Sequence, residues 1–437
     1  HDAYYRFVER ASNEILDFAW NAYGNSADDS FLGLKNFLEN LNLLSKYPRL
    51  KKYRDRFRGV PAIICASGPS LEQEFSNLRE AQSRALIFAA DSALKPLLDH
   101  GVRPHIVSAI ERDANVPEFF RDYPDLSDIQ LAVCPVVAKD VYQAYRGPQF
   151  LVCREYDYFK LLVDEDELLP IGPTCANMSF TMARVMGCSP IILVGQDLSY
   201  DPETLRSHTR GTIFPEREKE NKLEDLLAQG YFYIPGNSGS PVLTQALLQQ
   251  ALQWYEQEIS ECSVPVINTS LRGAQIAGTQ VKSFVECLKS DLIKGYPDLR
   301  SRLIEQSVAG DISKIQSEIR RQHQWLRSTV IENEKCVANL RDLEHNSDSN
   351  RVIEKIIEAQ ARSMKICNDS PEFKLMLQST IAPFVMTWQI GLNEKSRELG
   401  TGIEYCRAVA SSYREFFSEF NSWANRLLPL LEPWSKT

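Results

Sequence analysis

Acidic side chains follow two neighbouring short apolar runs of this sequence. Asp91 follows ALIFAA, and Glu111 and Asp113 come shortly after PHIVSA. Carboxylates at neighbouring strand ends could bind sugar or ribose hydroxyls, or a metal held between phosphates. Capping of the next helix explains Asp91 equally well, because short polar side chains accept hydrogen bonds from helix-start amides.

His208 is the best candidate for a general base. It stands in the polar, glycine-containing loop SHTRG, a short way after PIILVG. Imidazole titrates near neutral pH and can take a proton from a hydroxyl nucleophile. A lone histidine is more often structural or merely exposed, so both interpretations stand. His100 and His105 are spaced loosely like zinc ligands, but no cysteine pair accompanies them, and we assign no metal site.

A tight turn is predicted at ASGPSLEQ, directly after the first apolar run. Gly68 permits close approach of a ligand to the backbone. Ser70 is a good N-cap and its spacing to Gln73 fits a capping box, so free helix-start amides could hold a phosphate. The segment is neither G-x-G-x-x-G nor a P-loop. An ordinary strand-to-helix turn is an equally good interpretation.

Two further loops suit anionic or sugar ligands. In GPTCANMS the Gly-Pro pair makes a turn and Thr174 could cap the next helix, which would give a second helix N-terminus for an anion. In PGNSGSP, Ser240 is placed like an N-cap, with Pro241 at the first helical position. A plain loop before a helix explains this glycine-rich segment equally well.

These loops belong to a regular alternation of apolar runs and helical patterns. Because the runs are continuously apolar, the strands should be buried on both faces, which is typical of a parallel sheet between helix layers. Ligands bind such sheets beyond the carboxyl ends of the strands, where the strand order reverses. The predicted strands are 61–66, 85–90, 104–109, 129–134, 149–153, 190–195 and 264–267. The predicted helices among them are about 71–82, 92–100, 137–146, 175–187 and 241–260.

The same pattern divides the chain into three segments. Residues 1–58 are predicted as a helical N-terminal segment, residues 59–295 as a Rossmann-like α/β core with a doubly wound, mostly parallel sheet, and residues 296–437 as an α-helical domain. The sequence does not begin with methionine, so we expect 1–58 to be the end of a truncated N-terminal region. The helices predicted for the last segment are about 299–346, 351–367, 371–394 and 402–430.

Composition excludes several classes of protein. The 437 residues are 43% hydrophobic and 24% charged, which is ordinary for globular domains and unlike disordered or collagenous chains. A net charge of −9 argues against chain-wide binding to nucleic acid or to an anionic membrane. The sequence contains no stretch of about 18 uncharged apolar residues, so we predict no membrane-spanning helix. Its first residues do not have the pattern of a secretion signal. Ten scattered cysteines without a C-x-x-C pair indicate reduced thiols and a cytoplasmic protein.

The strand-end segments form an ordered set of motifs. They are ASGPSLE, AADSAL, GVRPHIV, GPTCANMSF, MGCSPIILVGQDLSY, HTRGT, IPGNSGSPVLT and INTSLRGAQIAGT. Together they resemble the Maf family, the motility-associated factors, which are flagellin glycosyltransferases with an MptE-like core. The resemblance covers roughly residues 15–285, and the tail resembles the helical C-terminal domain of the family. Each motif is weak alone, whereas their order and spacing are specific.

The resemblance implies transfer of a nonulosonic acid, such as pseudaminic or legionaminic acid, from its CMP-activated form to Ser or Thr of flagellin. It also implies a core similar to that of sialyltransferases and inversion at the anomeric centre. No cofactor is implied beyond the CMP-sugar donor, and the need for Mg²⁺ stays open. His208 as base and Asp197 in the cleft are the implied catalytic residues. The implied donor and nucleotide contacts are Ser67, Gly68, Pro69, Ser70, Asp91, Glu111, Thr174, Asn177, Gly195 and Asn237.

Two alternatives remain open. One is a 6-hydroxymethylpterin pyrophosphokinase using ATP and Mg²⁺, as in relatives of the core with an Asp-rich motif after the third strand, where this chain carries Glu111 and Asp113. The other is a non-catalytic protein whose helical tail docks flagellin. The departures at Glu111 and Arg272, where Asp and a Glu-Gly-Gly sequence are expected, would support the latter. Preference for CMP or ATP separates the transferase from the pyrophosphokinase.

Overall fold

The computed structural model falls into two compact units. It describes residues 26–112, 115–123, 125–212, 221–303, 312–341, 343, 349–398 and 402–435. The sheet unit takes its described residues from 46–155 and 166–308, and the helical unit takes its own from 1–45, 156–165 and 309–437. The structure therefore divides the chain differently from the three consecutive segments that the sequence pattern suggests. The first 25 residues of the predicted N-terminal segment, and Asp113, lie outside the described residues.

An eight-stranded parallel sheet forms the centre of the sheet unit. The strands of the described chain are β1 Ala62–Cys65, β2 Leu86–Ala90, β3 Ile106–Ala109, β4 Gln130–Val133, β5 Gln149–Leu151, β6 Cys153–Arg154, β7 Leu168–Leu169, β8 Ile191–Val194, β9 Phe232–Ile234, β10 Val242–Thr244, β11 Val266–Asn268 and β12 Gln280–Val281. The strand order in the eight-stranded sheet is β12-β11-β8-β1-β2-β3-β4-β5. All seven predicted strands are present, and the predicted Rossmann-like α/β fold with a helical C-terminal region is confirmed.

Strand β1 lies at the point where the strand order reverses. It pairs with β2 on one side and with β8 on the other, so that Cys65 lies opposite both Ala89 and Val194. Every residue of these three strands is buried. Burial on both faces explains the continuous apolar runs, because no position of these strands faces water. A crevice for ligands is expected beyond the carboxyl ends of β1 and β8.

Helices cover the sheet and build the helical unit. Among the described residues, no helix is both long enough and apolar enough to cross a membrane. The helices are α1 Ala27–Leu44, α2 Phe75–Ala81, α3 Asp91–Asp99, α4 Glu118–Arg121, α5 Lys139–Ala144, α6 Cys175–Val185, α7 Leu223–Ala228, α8 Ala246–Ser260, α9 Phe284–Ser290, α10 Ile312–Arg341, α11 Ser349–Met364, α12 Pro371–Met376, α13 Gln378–Glu398 and α14 Ile403–Ser435.

Two predicted helix starts are wrong. Ser70 does not cap a helix, because it lies inside a 3₁₀ turn at Pro69–Gln73 that has Gly68 as its N-cap. Ser240 does not cap one either. The residues after it form β10, which pairs antiparallel with β9, and α8 begins only after Gln245. At Ser70 a contact with the distant Asp197 replaces the local capping geometry, whereas after Ser240 the pairing of β10 with the nearby β9 does so.

The helical unit joins α1 to the C-terminal helices. Helix α1 packs against α13 and α14, and the ring centroids of Phe31 and Trp423 are 5.6 Å apart. A buried polar group links three helices of the unit. Asn333 donates to Asn421 at 3.0 Å and accepts from Arg362 Nε at 2.8 Å. These bonds fix the relative rotation of α10, α11 and α14, because a turned helix would leave polar atoms buried without partners.

Replacing Asn333 by alanine should lower the free energy of unfolding by about 1–3 kcal/mol, because buried polar atoms of Asn421 and Arg362 would lose their hydrogen-bond partner. Urea denaturation monitored by tryptophan fluorescence measures this change. Ile331→Ala, at an exposed position of the same helix, is the matched control and should change stability by no more than about 0.5 kcal/mol. Equal effects of the two variants would mean that the polar group contributes nothing.

Candidate functional site at the strand-order reversal

The turn after β1 packs directly on the turn after β8. The amide of Gly68 donates to the carbonyl oxygen of Gly195 at 2.9 Å. A Cβ atom on Gly68 would overlap that oxygen and Oδ2 of Asp197. Gly195 itself has φ of +66°, a conformation that glycine adopts without strain. Both glycines are therefore required for the two loops to meet.

Asp197 joins these two turns. Its Oδ2 accepts a hydrogen bond from the amide of Ser70 at 2.9 Å, and its carboxyl also bonds the hydroxyls of Ser70 and Ser270. Burial raises the pKa of Asp197, while these hydrogen bonds act in the opposite direction. The amides at Gly68 and Ser70 are thus occupied by protein acceptors, contrary to the expectation that they are free to hold a phosphate.

A loop beside β11 closes the other side of Asp197. The amide of Ala274 donates to the Asp197 carbonyl oxygen at 2.7 Å. Asn237 donates through Nδ2 to the carbonyl oxygen of Ser270 at 2.8 Å and to that of Ala274 at 3.2 Å. Its Oδ1 is buried and has no hydrogen-bond partner. Asn237 thus belongs to the same cluster as Asp197 and Ser70, and its side-chain oxygen accepts no hydrogen bond.

The loop that carries His208 lies over the turn after β1. The amide of Thr209 donates to the carbonyl oxygen of Ser67 at 2.7 Å. Glu72 holds the same loop, because its Oε1 accepts from the Arg210 amide at 2.7 Å and from Arg206 at 3.3 Å. The half-buried His208 has its Nδ1 2.8 Å from the hydroxyl of Ser207. The backbone of the loop that carries His208 therefore contacts the turn that contains Gly68.

Asp91 lies at the end of β2, one strand away from the reversal. Its side chain is 6% exposed, and its Oδ2 is buried with no hydrogen-bond partner. Burial raises the pKa of Asp91 to about 7, with the charge of Glu111 as the second cause. The neighbouring Ser92 donates from its hydroxyl to that of Ser67 at 2.9 Å, which links the β2 end to the turn after β1.

Thr174 and Asn177 build the start of α6. Thr174 is the N-cap, and its side chain accepts from the Asn177 amide, while the Asn177 side chain accepts from the Thr174 amide. This predicted cap is confirmed. Asn177 is fully buried and also donates to the carbonyl oxygen of Ala251 at 3.3 Å. Its amide group is therefore engaged inside the protein, unlike that of a side chain facing a cleft.

Comparison with known proteins shows what part of the chain and its fold are similar to. Residues 35–203 match the family described as 6-hydroxymethylpterin diphosphokinase MptE-like. A solved structure, the MAf glycosyltransferase from Magnetospirillum magneticum AMB-1, matches with a TM-score of 0.60, 17% sequence identity and coverage of 92% of this chain. The chain spans 61% of that protein, and at this identity the match shows a shared fold. No curated protein sequence matches.

These matches confirm the resemblance drawn from the motifs, an MptE-like core within the fold of a Maf protein. The structure gathers Ser67, Gly68, Ser70, Asp197, Gly195, His208 and Asn237 around the β1 and β8 ends of this core, with Pro69 in the same turn. Asp91 and the exposed Glu111 lie at the next two strand ends.

Sequence reasoning missed three residues at the carboxyl edge of the sheet, where the strands end. Glu72 holds the His208 loop, and Ser270 holds Asp197. The thiol of Cys175 lies near the carboxyl of Asp91 and acts to lower the pKa of that group. Ser270 follows the apolar run VPVI, so a strand-end rule could have found it. Glu72 and Cys175 carry no comparable signal, because their roles depend on loops distant in sequence.

Asp91→Asn should stabilise the protein increasingly as pH rises from about 4 to 7. The pKa of Asp91 is raised in the folded state, so folding favours the acid form, and ionisation costs stability as pH approaches 7. The gain relative to wild type should grow by at most about 1.4 kcal/mol per pH unit. Urea denaturation at pH 5 and pH 8 measures it.

Asp99→Asn is the control, because Asp99 lies at the exposed end of the same helix and pairs with Lys95. This variant should show no such gain at pH 8. A difference between Asp91→Asn and wild type that does not change with pH would mean that Asp91 is ionised throughout the range.

Proposed function

We propose that this chain is a glycosyltransferase that moves a nonulosonic acid of the pseudaminic or legionaminic type from a CMP-activated donor to Ser or Thr of flagellin. The acceptor would meet the enzyme in the cytoplasm. The observation that carries the proposal is the joint of Gly68, Gly195 and Asp197 at the strand-order reversal, in a chain with the fold of a Maf glycosyltransferase.

The position of this joint supports nucleotide binding. Ligands of doubly wound sheets bind at the carboxyl edge beside the reversal, where loops on either side separate. Here the surrounding polar groups include hydroxyls of Ser67 and Ser92 and the unpartnered Oδ1 of Asn237. Such groups suit a ribose or a sugar rather than an apolar ligand.

The residues of the edge suggest how transfer would proceed. His208 would take the proton of the acceptor hydroxyl as its oxygen attacks the anomeric carbon. The bond from that carbon to the CMP phosphate would break in the same displacement, which inverts the anomeric centre. Asp197 would act indirectly, because its carboxyl is engaged by Ser70 and Ser270 and holds the two turns in place.

The family match favours a second candidate, a pyrophosphokinase that uses ATP and Mg²⁺. Among the described residues, Asp91 and Glu111 are the carboxylates at the β2 and β3 ends. Burial disfavours the ionised form of Asp91 that Mg²⁺ would bind, and a bound Mg²⁺ would in turn favour that form. The transferase is the better-supported function, because the match to the fold of a MAf glycosyltransferase covers 92% of this chain, whereas the MptE-like match covers residues 35–203.

Calorimetric titration with CMP and with ATP, each with and without Mg²⁺, tests the choice. We expect CMP to bind and ATP to bind weakly or not at all. Gly68→Ala should abolish CMP binding, because its Cβ would separate the turns after β1 and β8. Binding of ATP that requires Mg²⁺, with none of CMP, would replace the transferase by the pyrophosphokinase.

His208→Gln should reduce CMP release from a CMP-nonulosonate donor in the presence of flagellin by about 10²–10⁴-fold, while the affinity for CMP stays within a factor of about two. Mass spectrometry of flagellin measures the transferred sugar. His100→Gln is the matched control, since His100 stacks on Phe75 at the other end of α3. A variant as active as wild type would remove His208 from the chemistry.

A further inference from the structure

Helix α11 presents a line of apolar side chains to solvent. Ile353, Ile357 and Met364 are 44%, 59% and 52% exposed, and Ala361 is exposed as well. Successive members are three or four residues apart, so they lie along one side of the helix. Helix α11 packs against α10 and α14, and its fully buried Val352 lies on a different face. The four exposed residues, here called the α11 stripe, extend over about 16 Å of helix.

Two charged side chains flank the α11 stripe on the same side of the helix. Glu354 directly follows the first residue of the stripe, and Lys365 directly follows the last. Both are exposed, and neither has an ion pair within the described part of the chain. Other charges of the helix are paired locally, as Lys355 is with Glu358 at 2.7 Å. An unpaired acid and an unpaired base thus stand about 16 Å apart, at opposite ends of the stripe.

This pattern is complementary to itself when a second copy is turned end for end. The stripe and the two flanking charges have the same centre, within one residue of Ala359. A two-fold axis through that centre places the apolar residues of one copy on those of the other. Because the same flank of both helices meets in such a pair, Glu354 of each copy faces Lys365 of the other. A parallel copy would place like charges opposite each other.

We propose that the α11 stripe is a self-association surface, on which a second copy of this chain docks its own α11 in the antiparallel direction. This inference is independent of the proposed enzymatic function. Burial of apolar area supplies the affinity, and the two exposed ion pairs set the orientation. One helix stripe buries less than the roughly 800 Å² per partner of a standard interface, so we expect a dissociation constant of about 1–100 µM.

Sedimentation equilibrium of the full chain over a range of concentrations tests the proposal. The weight-average mass of wild type should rise with concentration from 49.8 kDa towards twice that value. Ile357→Asp places a charge at the centre of the stripe and should weaken the association at least about tenfold. Ile293→Asp is the matched control, because Ile293 is 72% exposed and belongs to the sheet unit, and this variant should associate as wild type does.

Charge reversal tests the antiparallel pairing. Glu354→Lys and Lys365→Glu should each weaken self-association by about three- to tenfold, because like charges would then face each other at both ends of the pair. An equimolar mixture of these two variants should associate as strongly as wild type, since each copy then offers the opposite charge to the other. The double variant Glu354→Lys/Lys365→Glu should recover the affinity of wild type for the same reason.

Three results would overturn the proposal. One is a wild type that stays at 49.8 kDa up to about 200 µM. Another is association that Ile357→Asp leaves intact, and the third is a mixture of the charge variants that associates no better than either alone. A monomeric wild type whose melting temperature falls on Ile357→Asp would mean that another segment of the same chain covers the stripe. Circular dichroism of each variant distinguishes lost association from lost folding.

Discussion

The hydrogen bond from the Ser70 amide to the carboxylate of Asp197 ties together segments 127 residues apart in the sequence. It holds the turn after β1 against the turn after β8, where the absence of a Cβ at Gly68 allows contact with the Gly195 carbonyl. The loops after β11 and β8 then build outward from this joint, through Ser270 on one side and Thr209 on the other. Any ligand of the strand-order reversal meets surfaces whose position this bond determines.

Asp197 and Asp91 show how environment assigns different tasks to the same side chain. Both are buried and both have a raised pKa. Asp197 is surrounded by an amide and two hydroxyls that satisfy it, so it serves as an internal acceptor. Asp91 has one oxygen without a partner and a second carboxyl group nearby. Unsatisfied polar atoms in a buried place are costly, and they persist chiefly where a ligand or a reaction uses them.

The sequence pattern predicts the sheet well, because burial on both faces requires continuous apolar runs and every long central strand has one. It does not reveal β12, whose two residues are exposed, or β6 and β7, which have two residues each. Local chemistry predicts the Thr174 cap correctly, since all its partners lie within one turn. It fails at Ser70, where a distant carboxylate takes the amide. The strand-end rule places the candidate site, whereas the internal use of Asn177 depends on α8 and could not be foreseen.

The path of the chain has a consequence for synthesis on the ribosome. Helix α1 buries Phe31, Leu34 and Phe37, and it packs against α13 and α14, which follow roughly 330 residues later. At about 5–20 residues per second, Phe31 waits roughly 20–80 s for its ring partner Trp423 in α14. The sheet unit is complete in sequence before the last helices emerge. The apolar face of α1 in a nascent chain therefore stays without part of its packing partners until the last helices have been made.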